Sequence, residues 1–279
     1  MSSDRKSDHP THKRIRDHWT DKAEAWHAQA DAMAPLADRF NRPLVDAIGL
    51  APGHTLLDLA SGAGEPAFTA EKIVGETGMV VATDLVPAML TGLRRRDREK
   101  RLRFVAADMQ RLPFADSVFD RVTCRFGIMF PPDVDTALSE TRRVLNPGGR
   151  VGFMIWPPEP LQTLFHVLAE AVESCLGEAS DDHFHRMFRF SEPGSLIAAM
   201  GRAGYGDMTE QDLSFTPRAP ADRPFWRPQL HMTFGDRLHG VDDAVLDRLD
   251  TDIKARLEPL REGGSYQLRT TIRIVTGTR

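Results

Sequence analysis

Between residues 13 and 48 apolar side chains recur at helical spacing: Trp19, Ala23, Trp26 and Ala30 fall four, three and four residues apart and so share one face. Pro35 and Pro43 interrupt this stretch, which predicts several short helices rather than one long one. Past Gly49-Leu50-Ala51-Pro52-Gly53 the period changes. Residues 55–59 form a compact apolar run leading into Ala60-Ser61-Gly62-Ala63-Gly64 and then a helix over 66–74, with Glu65 and Pro66 expected in its first turn. Further strand-like runs cover 79–83, 102–106, 119–124 and 150–156, separated by helical patterns over 87–96 and 133–144. Strands alternating with helices on short connections predict a mostly parallel sheet covered on both faces.

Beyond Trp156 the rhythm lapses twice. A first excursion carries Leu161, Leu164, Phe165, Leu168, Val172 and Cys175 at helical spacing, then a polar segment over 181–189. A helix over 194–203 and a strand over 208–215 restore the α/β pattern. A second excursion holds a helix with Leu246, Leu249, Ile253, Leu257 and Leu260 on one face. Residues 266–275 alternate, with Leu268, Thr270, Ile272 and Ile274 opposite Gln267, Arg269, Thr271 and Arg273, and read as an antiparallel closing strand. The expected organisation is N-terminal lid helices over 1–50, of which 1–12 are a polar tail. A core spans 51–279, with lid insertions at about 157–192 and 217–264.

Composition narrows the class. The chain has 279 residues, 36 Lys+Arg against 40 Asp+Glu, a net charge of −4 and 41% apolar residues, which argues against disorder and against sequence-independent nucleic-acid binding. Cys124 and Cys175 form no Cys-x-x-Cys pair, so neither a disulfide framework nor a metal site is expected. No apolar run approaches the ~20 residues that span a bilayer. The first 16 residues carry no secretory pattern, and the expectation is a cytoplasmic protein.

The segment Gly62-Ala63-Gly64-Glu65-Pro66-Ala67 follows a strand and opens a helix, where exposed N–H groups can hold an anion or a carboxylate. It fits a dinucleotide fingerprint, with Asp84 at the distance of its ribose acid. Two further acids change that reading. Asp58 lies inside the first strand, where it would repel a pyrophosphate, and Asp108 follows the third strand, with Met109 beside it. Three acids at the carboxyl ends of adjacent strands suit a ligand with hydroxyls and amines and no phosphate.

With these residues in place, the chain resembles the class I S-adenosylmethionine-dependent methyltransferases, in their ubiquinone/menaquinone-biosynthesis-like small-molecule branch. The resemblance rests on Leu57 to Gly64, Asp84, Ala107-Asp108-Met109, Leu112-Pro113-Phe114, Phe119-Asp120, and Arg143 to Gly149, in that order. Trp19, Ala23 and Trp26 match an N-terminal aromatic-Ala-aromatic spacing of the same branch. The chain departs from it at Ala60, where the family usually has Gly. The resemblance implies a Rossmann-like, mostly parallel seven-stranded sheet with an antiparallel last strand and helical lid insertions. It implies S-adenosyl-L-methionine as cofactor, held by Trp26, Asp58, Ala60, Gly62, Gly64, Asp84, Leu85, Met89, Asp108, Met109 and Arg125. The acceptor it implies is a small molecule, with an aromatic or secondary metabolite favoured by the aromatic residues of the insertions; a homodimer is left open.

Such a donor is already activated, so the protein supplies mainly proximity and alignment. A base is needed only for an acceptor that must lose a proton. His18, His27, His183, His185, His231 and His239 are the candidates, and none is assigned. Arg94-Arg95-Arg96 reads as a solvated helix face, and Phe126, Met129 and Phe130 as the floor of an acceptor site or as core. Two alternatives use the same loop: a nicotinamide-dependent oxidoreductase, and a catalytically idle cofactor-binding or assembly protein.

Overall fold

A computed structural model describes residues 10–177 and 182–279. It begins with α1 (Pro10–Ala47), a single helix of 38 residues where two prolines predict a break. A helix-interior proline loses one backbone hydrogen bond at a cost of about 3 kcal/mol. Leu44 and Val45 in the last turn of α1, and Ile48 just after it, are completely buried and anchor this end of the helix. The helix also takes in part of the expected polar tail: His12 is buried, while residues 1–9 lie outside the described residues.

The elements that follow are β1 (Thr55–Leu59), α2 (Ala67–Val74), β2 (Met79–Asp84), α3 (Pro87–Arg96), β3 (Arg103–Ala106), β4 (Phe119–Arg125), α4 (Val134–Val144) and β5 (Leu145–Ile155). After them come α5 (Thr163–Leu176), α6 (Asp182–Met187), α7 (Ser195–Arg202), β6 (Gly206–Phe215), β7 (Arg218–Pro220), α8 (Arg227–Leu238), α9 (Asp243–Leu257), β8 (Arg261–Glu262), β9 (Ser265–Gln267) and β10 (Thr270–Thr278).

Seven strands form one sheet in the order β3-β2-β1-β4-β5-β10-β6. The pairs from β3 to β5 are parallel, and β10 runs antiparallel to β5. One core cluster packs Leu56, Val80 and Ala82 of the strands against Val45 of α1, Ala67, Ala70 and Val74 of α2, and Leu93 of α3. Pro87 opens α3 with its fixed φ, and Asp133 caps α4 by accepting the Thr136 N–H at 2.9 Å.

The last predicted strand is divided in two. Its first part is β9, which pairs with β7 and β8 in a small separate sheet. Its second part, β10, lies between β5 and β6, and residues 271–277 are buried without alternation because both faces are covered. Arg273 is buried there and reaches Glu210 at 3.7 Å.

The chain divides into two compact units. One comprises Met1–Ile155, Pro193–Gln211 and Arg273–Arg279, the other Trp156–Glu192 and Asp212–Ile272. Within the second, α5 packs on α9, and Phe184 meets both Phe188 and Phe234 at 5.2 Å between ring centres. Among the described residues no helix is long and apolar enough to cross a membrane.

Candidate functional site

The strand order reverses between β1 and β4, so the loops leaving their carboxyl ends diverge and open a crevice there. Asp58 stands at its base in β1, in register with Thr123 of β4. It is fully buried. Thr123 Oγ1 donates to Asp58 Oδ1 at 2.8 Å, while Oδ2 has no partner. Burial pushes the Asp58 carboxyl up to about 7, against the opposing pull of hydrogen bonds and of Arg125.

The chain then turns through three left-handed residues, Ala60 (φ 51°), Gly62 (φ 51°) and Gly64 (φ 108°). A Cβ on Gly64 would lie 2.3 Å from the Phe68 ring, and one on Gly62 would lie 3.2 Å from Trp26 Nε1. The Gly62 N–H donates to Asp84 Oδ2 at 2.9 Å, and the Val86 N–H donates to Oδ1 at 2.9 Å. Burial raises the Asp84 carboxyl to about 6 despite these bonds. Leu85 beside it is half-buried, and Met89 is buried with Ala23 and Val86, with Trp19 and Trp26 packed against them. Glycine loop, second acid and α1 therefore form one assembly.

The methyl of Ala60 has a specific host. A Cβ on Gly127 would lie 2.6 Å from Ala60 Cβ and 2.8 Å from Cys124 Sγ. The bare backbone of Gly127 supplies the space that the departure from glycine at position 60 requires.

Asp108 follows β3, and the Ala107 N–H donates to the Asp84 carbonyl at 2.9 Å, linking the two acids. Asp108 Oδ1 accepts the Gln110 N–H at 2.9 Å, and Oδ2 lies 2.8 Å from His12 Nε2. Met109 is half-buried next to it. Arg125 ends β4 with its guanidinium carbon 5.5 Å from the ring centres of both Phe40 and Phe126. Burial lowers its pKa, opposed by the nearby charges of Glu65 and Asp58.

Four contributors escaped the sequence reading. Arg96 is no solvated cation: its guanidinium donates to the Ala63 carbonyl of the glycine loop, sits 3.8 Å from Glu65, and lies over the Phe68 ring at 5.2 Å. Glu65 is not in the first turn of α2, which starts at Ala67 behind Pro66 as N-cap. Its carboxylate turns instead to Asn41, whose Nδ2 donates to Glu65 Oε2 at 2.6 Å and to Thr69 Oγ1 at 2.9 Å. A completely buried Asn at the spacing of Leu44, Val45 and Ile48 was the available signal for this contact. The fourth is His12, hidden within the polar N-terminal segment. Among the candidate bases, His27 is spent on packing: it lies 3.3 Å from the Ala88 carbonyl and its ring fills the space above Gly92. Met129 and Ile128 enter the core, while Phe130 meets Trp19 at 5.2 Å.

A family model described as the ubiE/COQ5 methyltransferase family matches residues 35–167. Over 169 residues the chain is 36% identical to the ubiquinone/menaquinone biosynthesis C-methyltransferase of Cupriavidus necator, covering 56% of this chain and 69% of that one. The chain belongs to the ubiE/COQ5 methyltransferase family. With that family it joins the class I S-adenosylmethionine-dependent methyltransferases, which decides between the two enzyme readings of the glycine loop. A second relative, an uncharacterized protein of Mycobacterium tuberculosis, is 40% identical over 131 residues; the alignment covers 46% of this chain and spans 45% of that protein's length. The fold is similar to that of Haemonchus contortus phosphoethanolamine N-methyltransferase 2 in complex with S-adenosyl-L-methionine, with a TM-score of 0.56 and 17% identity over 95% of this chain and 60% of that one.

Proposed function

We propose that this ubiE/COQ5 family member transfers a methyl group from S-adenosyl-L-methionine to a small-molecule acceptor. One observation carries the reading. Asp58, Asp84 and Asp108 stand at the carboxyl ends of three adjacent parallel strands, with the glycine loop tied to the middle acid through Gly62. In this reading the oxygens of Asp84 accept from the ribose hydroxyls, with Leu85 and Met89 beside the sugar. Asp108 accepts from the adenine amino group, with Met109 flanking the ring. Gly62 and Gly64 admit the backbone to the ligand without a Cβ, and Ala60 shapes the start of that turn. Asp58 faces the cofactor's ammonium, Trp26 lies over the bound cofactor, and Arg125 belongs to the same ligand.

The chemistry is an in-line displacement. When bound, S-adenosyl-L-methionine would supply an activated methyl group: the acceptor's lone pair would bond to the methyl carbon while the pair of the breaking carbon–sulfur bond stayed on sulfur and neutralised it. Positive charge is lost at sulfur, so the protein needs no oxyanion hole; its contribution is alignment. A hydroxyl, thiol or carbon acceptor gives its proton to a base, and an amine acceptor enters already deprotonated. Aromatic and secondary-metabolite acceptors head the list because the chain's insertions are rich in Phe and carry Trp226. The test is transfer of an isotopically labelled methyl group from the cofactor to a panel of phenols and amines. Labelled product that disappears in Asp84→Ala supports the reading. Cofactor binding without transfer to any acceptor would favour an idle cofactor-binding protein.

A further inference from the structure

Arg125 is a group of the crevice whose polar atoms are not all accounted for. Among the described residues its guanidinium makes no hydrogen bond and no ion pair within 4.0 Å, and its Nε is buried without a partner. A guanidinium carries five N–H donors; Arg125 is half-buried, and its Nε–H is the donor closed off from solvent without an acceptor, which is costly. Two rings flank it at cation–π distance, Phe40 from α1 and Phe126 from the loop after β4. Of the acids that influence it, Glu65 is bonded by Asn41 and Asp58 Oδ1 by Thr123, and neither acid forms an ion pair with it within 4.0 Å.

The strand register fixes where these donors face. Asp58 pairs with Thr123, and the hydrogen bond between them puts both side chains on one face of the sheet. Arg125 is two residues beyond Thr123 on the same strand, so it emerges on that face one pleat closer to the crevice. An unpartnered carboxylate oxygen, Asp58 Oδ2, and a guanidinium with an unpartnered Nε thus stand in succession from the base of the crevice outward. Planar donors in a fork match a carboxylate, which they can take at two oxygens.

We propose that Arg125 is a specificity residue that receives a ligand carboxylate. The inference rests on the cofactor reading above, and two sources present this chemistry: the α-carboxylate of the cofactor's amino-acid end, or an acid group on the acceptor. Arg125 bound to the former would complete, with Asp58, a receptor for an α-amino acid zwitterion.

The experiment compares S-adenosylhomocysteine with 5′-methylthioadenosine, which keeps the nucleoside and lacks the amino-acid end, on the full chain and on Arg125→Met and Arg125→Lys. If the cofactor supplies the carboxylate, Arg125→Met binds S-adenosylhomocysteine about 10- to 100-fold more weakly, the size of a lost charge-assisted contact. It then binds 5′-methylthioadenosine as the native chain does, and Arg125→Lys recovers part of the loss. If the acceptor supplies it, both nucleosides bind unchanged and benzoate binds the S-adenosylhomocysteine-loaded native chain but not the loaded Arg125→Met variant. Equal loss of both nucleosides would overturn the proposal, as would unchanged nucleoside binding with no difference in benzoate binding. A native chain that binds neither nucleoside would instead remove the cofactor reading beneath it.

Discussion

His12 Nε2 lies 2.8 Å from Asp108 Oδ2, so the first turn of the long N-terminal helix reaches the acid that follows the third strand. Asp108 is the group proposed to accept the adenine amino hydrogen. The imidazole therefore competes with the ligand for the same oxygen. His12→Ala is expected to raise affinity for S-adenosylhomocysteine about fivefold, corresponding to one hydrogen bond of about 1 kcal/mol. Titration calorimetry checks this; weaker binding by the variant would mean that His12 assists the ligand.

Asp58 makes stability fall with pH. Its carboxyl ionises near 3.8 when exposed and near 7 in the folded chain, because burial disfavours the anion. The folded state thus holds a proton that the unfolded state has released, and stability present below about pH 4 is lost as the pH rises to about 7. Asp84, raised to about 6, acts in the same direction. Denaturant unfolding from pH 4 to 7.5 should show a shallower decline for Asp58→Asn than for the native chain. Identical slopes would mean that Asp58 ionises normally in the fold.

Arg96 and Arg95 are neighbours with different fates. Arg96 bonds the Ala63 carbonyl and lies 3.5 Å from the Ala30 carbonyl, joining α3, the glycine loop and α1, whereas Arg95 is exposed. Arg96→Met should lower stability by about 1–3 kcal/mol and weaken cofactor binding, while Arg95→Met stays within about 0.5 kcal/mol of the native chain. Equal, small effects in thermal melts would return Arg96 to the solvated face that the three-arginine run suggests.

Gly127 and Ala60 should be coupled. Gly127→Ala would press a methyl to 2.6 Å from Ala60 Cβ, an overpacking that costs about 1–3 kcal/mol. Adding Ala60→Gly should restore part of that loss, leaving the remainder to Cys124 Sγ at 2.8 Å. Additive effects in the double-mutant cycle would show that the two positions do not share this space.

What the sequence disclosed follows from the physics of each element. Parallel strands buried on both faces are compact apolar runs, so β1 and β2 could be read directly, and Asp58 stood out as a charge inside one of them; β4 is more mixed, with Phe119, Val122 and Cys124 between polar residues. Asp84 and Asp108 were legible because each ends or follows such a run. The continuity of α1 was not, since whether a proline breaks a helix depends on packing that the local sequence does not carry. β10 kept an alternating pattern, yet its polar face is covered because the strand lies inside the sheet rather than at its edge. Arg96 was misread because its partner is a backbone carbonyl 33 residues away, which leaves no trace in side-chain composition. His12 was masked by the polar tail around it.

The central claim is that the crevice above Asp58, Asp84 and Asp108 holds S-adenosyl-L-methionine, and calorimetric titration tests it most directly. The cofactor and S-adenosylhomocysteine should each bind the full chain, and Asp84→Ala should weaken both by about tenfold or more, as expected when a carboxylate loses ligand hydroxyls. A folded native chain that gives no binding heat with either ligand, or an Asp84→Ala variant that binds both with native affinity, would contradict it.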